Sequence, residues 1–188
     1  MNPHSLEQGR LLIALARSAI ASEFEEVSAE LPRPEWLQEP GATFVTLTQR
    51  GELRGCIGSL EAHRTLRDDV QINARAAAFK DPRFLPLSRD EFAGTQVEVS
   101  ILSPAEPMHF SDEADALSQL RPGLDGVILE HGLHHATFLP QVWQQLPEPS
   151  QFMAHLKHKA GLAPDFWADD VRLSRYQVEK FKEEHEPA

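Results

Sequence analysis

The chain has 188 residues, with 18 lysines and arginines against 29 aspartates and glutamates, giving a formal net charge of −11 at pH 7. That balance argues against a basic nucleic-acid binder, whose grip on phosphates needs positive charge. A 41% hydrophobic, 25% charged composition reads as globular, and the longest purely apolar run, Leu11 to Ala16, is far too short to span a membrane.

Ser5 followed by Gln8 reads as a capping box that opens a helix running through about Phe24 on Leu12, Leu15, Ala16 and Ala19. Pro32, Pro34 and Pro40 then mark a connector, because proline lacks the backbone donor. Thr43 to Thr48, a turn near Arg50-Gly51 and Leu53 to Ile57 predict a β-hairpin. The spacing predicts a helix from Thr65 to about Lys80 on Leu66, Val70, Asn73/Ala74 and Ala77, widened by Ile72, Ala76 and Phe79 and ended by Asp81-Pro82. A second capping box, Ser88 with Glu91, predicts a short helix stopped by Gly94, and Val97, Val99 and Ile101 alternate as in a half-buried strand.

Pro104 and Pro107 break that strand, Ser111 with Asp112 and Glu113 behind it starts the next helix, and Pro122-Gly123 closes it. Val127 to Glu130 and His134 to Leu139 predict a second hairpin around His131-Gly132. Ser150 caps a helix to Ala160 with Gly161 behind it, and Val171, Leu173 and Val178 indicate one final extended segment before a solvated tail at 184–188. Antiparallel pairs and segregated helices without regular βαβ alternation give an α+β class: a mixed, largely antiparallel sheet with flanking helices. The N-terminus, MNPHSLEQGR, has no apolar segment leading to a cleavage site, so a cytoplasmic protein is expected.

Cys56 is the sole cysteine, which excludes an intrachain disulfide or a zinc site built on cysteines. Strand alternation through Leu53-Arg54-Gly55-Cys56-Ile57-Gly58 places Leu53, Gly55 and Ile57 on one face and Arg54, Cys56 and Gly58 on the other. The thiol then shares a face with a guanidinium, which favours a thiolate, and Gly58 leaves space beside it. The competing reading is a buried small hydrophobe, with the glycines marking a bulge that breaks the alternation.

LRGCIGSLE at 53–61, followed by DPRFLPL at 81–87, resembles the AMMECR-type domain family. The resemblance continues through VEVSILS at 97–103, GLDGVIL at 123–129, ATFLPQVW at 136–143 and HKAGL at 158–162, and covers about residues 6 to 183, implying one domain of two intertwined subdomains. It implies an α+β fold of a larger and a smaller lobe around a cleft. It also implies kinship with the A component of the so-called AmmeMemoRadiSam system, with a Memo-like protein and a radical S-adenosylmethionine enzyme as partners.

Cys56, Arg54 and Glu61 are the catalytic candidates, with His63 a weaker acid-base partner, although loop residues such as Glu61 and His63 are more often solvated groups. Gly55, Gly58, Asp81, Arg83 and Ser100 are the candidates for binding a small-molecule substrate. Asp81 opposes the dipole at its helix end, and an Asp81-Arg83 pair either fixes the turn or faces a polar substrate. His131, His134 and His135, and separately His155 and His158, have spacings that suit a metal, but Glu130 alone supplies a carboxylate nearby, so no metal is assigned. The tryptophans Trp36, Trp143 and Trp167 read as core, and no nucleotide, hydrolase or zinc-protease motif is present, leaving no cofactor evident.

Overall fold

Ser5 opens α1 (Leu6–Ala21) with a complete capping box: Gln8 N–H donates to Ser5 Oγ at 3.2 Å and Ser5 N–H to Gln8 Oε1 at 2.6 Å. This computed structural model describes residues 5–26 and 30–183, so the expected tail at 184–188 lies outside the described residues. The chain divides into two compact units, Met1–Leu102 with Glu179–Ala188, and Ser103–Val178. Among the described residues no helix is long and apolar enough to cross a membrane.

In the first unit, β1 (Ala42–Gln49) and β2 (Glu52–Gly58) form the expected hairpin, followed by α2 (Leu66–Phe79), α3 (Arg89–Ala93) and β3 (Gln96–Leu102). With β8 (Val178–Lys182) they make a four-stranded sheet in the order β2-β1-β3-β8, so β2 is an edge. Thr65 caps α2 and the second capping box, Ser88 with Glu91, starts α3. Val45, Leu47, Val97, Val99 and Ile101 alternate onto one face and meet Leu12, Leu15, Ile20, Val70 and Ala74 from α1 and α2 in a single core. Full burial of each larger aliphatic side chain contributes about 1.5 to 3 kcal/mol.

The buried polar groups of this unit include Asp69, whose side chain is 1% exposed. Its Oδ2 accepts from Thr43 N at 2.8 Å, Thr43 Oγ1 at 2.7 Å and Asn73 Nδ2 at 3.0 Å, and its Oδ1 from Ser59 Oγ and Arg64 Nε, both at 2.7 Å. The carboxylate therefore ties α2 to the start of β1 and to the chain leaving β2. Asn73, expected in the apolar stripe, belongs to this network; Ile72, also expected there, is 40% exposed.

In the second unit, β4 (Glu106–Pro107), β5 (Gly126–His131), β6 (His134–Phe138) and β7 (Arg172–Tyr176) form a sheet in the order β4-β7-β5-β6. Its core includes Leu129, Leu173, Leu156 and Phe152. The Trp143 ring stacks on Phe152 at 3.8 Å and donates Nε1–H to Asp125 O at 2.7 Å. Lys157, almost fully buried on α5 (Pro149–Lys159), is paired with Glu113 and lies 5.4 Å from the Trp167 ring centroid.

The α+β class holds, with two sheets where one was expected. The single final extended segment is two strands, β7 and β8, because Gln177 between them bonds to Ser103 through both backbone groups and the chain passes from one sheet to the other. Asp112, not Ser111, caps α4 (Glu113–Gln119), since its carboxylate accepts Asp115 N–H. Pro149 occupies the first turn of α5 in place of a side-chain cap at Ser150, as suits a residue with no N–H to satisfy.

Candidate functional site

Cys56 lies opposite Thr46 in the antiparallel β1-β2 pair, and Thr46 in turn lies opposite Glu98 on β3. Alternation puts the row Cys56, Thr46, Glu98 on the sheet face opposite the helix-packed core. The neighbouring row is Gly58, Phe44, Ser100. Thr46 Oγ1 is 3.3 Å from Cys56 Sγ, and the thiol is half-buried. Across β3, Glu98 meets Lys182 at 3.2 Å and Lys180 at 3.8 Å, extending the polar row onto β8.

The backbone of Cys56 is held from the open edge of β2. Its N–H donates to Asp81 Oδ2 at 2.9 Å, and its carbonyl accepts from Arg83 Nη2 at 3.4 Å. Asp81 sits just past the end of α2, where Pro82 stops the helix, and it is 4% exposed. It accepts from Arg83 Nη2 at 2.7 Å, Arg83 Nε at 3.0 Å and Arg83 N at 3.1 Å. The Arg83 guanidinium, helped by the Cys56 and Arg83 N–H groups, holds the Asp81 carboxyl well below the usual carboxylate range despite its burial. The two side chains thus satisfy the edge groups that another strand would occupy.

Arg54 does not share the alternation expected of it. The register runs Leu47 to Gly55 and then Thr48 to Leu53, a bulge that leaves Arg54 without a partner residue on β1. Leu53 consequently pairs with a residue on the Cys56 face and is 42% exposed instead of anchoring the core. The Arg54 guanidinium donates from Nε to Glu91 Oε1 at 3.1 Å and from Nη2 to Glu91 Oε2 at 3.2 Å and Leu85 O at 3.0 Å. Its role is to hold α3 and the 81–87 loop. Gly58 leaves no space beside the thiol either, because the Phe44 ring lies over it, 2.2 Å from where a Cβ would stand.

Arg54 pulls the Glu91 carboxyl down to about 2, with the Ser88 backbone and hydroxyl assisting. A depressed acid stabilises the fold above its unfolded pKa and loses that contribution as pH falls through the folded value. We expect Tm to drop between pH 4.5, the ordinary value for this group, and about 2, with Glu91→Gln flattening part of that drop in a thermal-melt series. An unchanged acid limb in Glu91→Gln would show that this pair adds nothing to folding.

Glu61 and His63 pair with each other at 2.8 Å and are 69% and 77% exposed, with no hydrogen bond to Cys56. Ser100 is 6% exposed and shares the Cys56 face one row away. His131 Nδ1 lies 3.1 Å from Asp170 Oδ1 and its ring stacks near His134, whose Nδ1 is 2.8 Å from Ala160 O. His155 and His158 are exposed on α5, and among the described residues no group of three or more histidine, cysteine or acidic side chains is arranged to hold a metal ion. Thr46 and Glu98 escaped the sequence reading because only strand register aligns them with Cys56.

A family model described as AMMECR1 matches residues 13–181. The chain is 37% identical over 187 residues to a protein of Methanothermobacter thermautotrophicus, covering 97% of each. It is 40% identical over 186 residues to a protein of Saccharolobus solfataricus, covering 94% of this chain and 82% of that relative. The crystal structure of an uncharacterised protein from Pyrococcus horikoshii superposes with a TM-score of 0.83 at 33% identity, covering 95% of this chain and 93% of that one.

Proposed function

The chain belongs to the AMMECR1 family, and on that premise we propose that it is a cytoplasmic binding component of a multi-protein modification or metabolic pathway. Its partners in this reading are a Memo-like protein and a radical S-adenosylmethionine enzyme, or their small-molecule substrate, and its working surface is the Cys56 face. The observation that carries the reading is how the thiol is surrounded. Among the described residues its side-chain partner is the Thr46 hydroxyl, no histidine or carboxylate bonds to it, and Arg54 is committed to Glu91 and Leu85. A nucleophilic thiol needs a base or a dedicated cation within reach. A rigid strand whose backbone is clamped by Asp81 and Arg83 suits recognition instead.

One observation favours a second reading, in which Cys56 reacts. The Arg83 guanidinium reaches the Cys56 carbonyl oxygen at 3.4 Å, so a cation stands at the backbone of the cysteine itself. Two substitutions separate the readings in complexes with the Memo-like protein. A binding surface tolerates Cys56→Ser within about threefold in affinity and loses about a hundredfold on Cys56→Trp, which fills the face. Pathway output abolished by Cys56→Ser while the complex persists supports the reacting thiol. Complex formation unaffected by Cys56→Trp overturns the Cys56 face as the working surface.

A further inference from the structure

The sheet face that carries Cys56 continues past Thr46 and Glu98 onto β8. Backbone bonds from Ser103 N–H to Gln177 O at 2.8 Å and from Glu183 N–H to Val97 O at 3.1 Å set β8 antiparallel to β3, with Lys182 opposite Glu98 and Lys180 opposite Ser100. The second row of this face is therefore Gly58, Phe44, Ser100, Lys180. Ser100 is 6% exposed, and its hydroxyl has no hydrogen-bond partner among the described residues. The described side-chain atoms fully enclosed without a partner are Arg54 Nη1 and His131 Nδ1; Ser100 Oγ is not one of them, so the hydroxyl keeps an opening on the side away from the core. A hydroxyl this buried, with its donor and acceptor unspent, calls for a polar group from outside the chain.

The charge beside it is positive. Lys182 at 3.2 Å and Lys180 at 3.8 Å share the single carboxylate of Glu98, which leaves one ammonium charge over in a chain whose net charge is −11. Lys180, the farther of the two, is 41% exposed. The half-buried Phe44 ring, which lies over Gly58, stands between Ser100 and the Cys56 strand. Two strand spacings, about 10 Å, separate Cys56 from Ser100. We propose that this face binds a small molecule of that length carrying one carboxylate, an inference that rests on the reading of the Cys56 face as the working surface. The carboxylate accepts from the Ser100 hydroxyl and the Lys180 ammonium, and the body of the molecule crosses Phe44 towards Cys56. One surplus positive charge matches a monoanion, and the aromatic ring offers a flat body apolar area.

Two maleimides test this on the full chain. N-(p-carboxyphenyl)maleimide adds the Cys56 thiol across its double bond and carries a carboxylate at the far end of its ring, while N-phenylmaleimide is the same reagent without the charge. Each rate in native protein is divided by the rate in the urea-unfolded chain, which removes intrinsic reactivity. The acid is expected to give a ratio about tenfold higher than the neutral reagent, the scale of one hydrogen bond to a charged group. Lys180→Gln and Ser100→Ala are each expected to remove most of that preference, while the neutral reagent keeps its native rate and so reports an intact face. Equal ratios for the two reagents, or a preference that survives Lys180→Gln, overturn the carboxylate site and leave the Cys56 face standing. A preference lost in Lys180→Gln but unchanged in Ser100→Ala overturns the part given to Ser100. Native protein inert to both reagents overturns the Cys56 face as the working surface, and this proposal with it.

Discussion

Asp69→Ala is expected to lose about 3 to 5 kcal/mol of folding stability, the range for removing one partner from a buried charged network. The alanine strands the backbone N–H of Thr43 and takes the acceptor from the Thr43 and Ser59 hydroxyls and from Arg64 Nε, while the Asn73 amide keeps Thr43 O. Each buried donor left without an acceptor carries its own desolvation cost of about 1 to 3 kcal/mol. Asp69→Asn retains the shape but offers one acceptor oxygen where two serve five donors, so it is expected to fall between wild type and alanine. Urea unfolding measures both. A loss below about 1 kcal/mol for alanine would mean that water replaces the carboxylate and that the network does not fix the chain leaving β2.

Gly55→Ala is the second large effect, expected at about 2 to 4 kcal/mol by the overpacking of a close backbone contact. A Cβ at Gly55 would stand 2.1 Å from the carbonyl oxygen of Ala77, a backbone atom of α2 that no rotamer change can move aside. Either β2 or the end of α2 must shift, and both carry the site: Cys56 follows Gly55, while Asp81 follows α2. The alanine variant is therefore expected to weaken the Cys56 N–H to Asp81 bond as well as the fold. Amide exchange at Cys56, compared with exchange at the remote Leu129, reads the local part. Equal acceleration at both would assign the loss to global stability alone.

Local signals made most elements legible. Both capping boxes, the first hairpin and the alternation in β3 each act over a few residues, and each appears where the sequence implied it. The errors lie where distant partners decide. The bulge at Arg54 depends on how β2 meets Leu47 and Thr48, and the split between β7 and β8 depends on Ser103, 74 residues from Gln177. The candidate site divides the same way. LRGCIG announced itself in sequence and the Asp81-Arg83 clamp was one of two readings for that pair, but Thr46 and Glu98 join Cys56 only through register. Asp69 and Asn73 hid in the buried stripe of α2, where helical spacing alone does not separate a polar network from apolar packing.

The reading of the Cys56 face as a working surface requires that the thiol be reachable without unfolding. Cys56 is the sole cysteine, so iodoacetamide labelling followed by mass spectrometry reports on it alone. In native protein the rate is expected to lie within about a hundredfold of the unfolded chain and to stay level with urea until the unfolding transition. Labelling that occurs only in step with global unfolding would place the thiol inside the structure and contradict the assignment of that face.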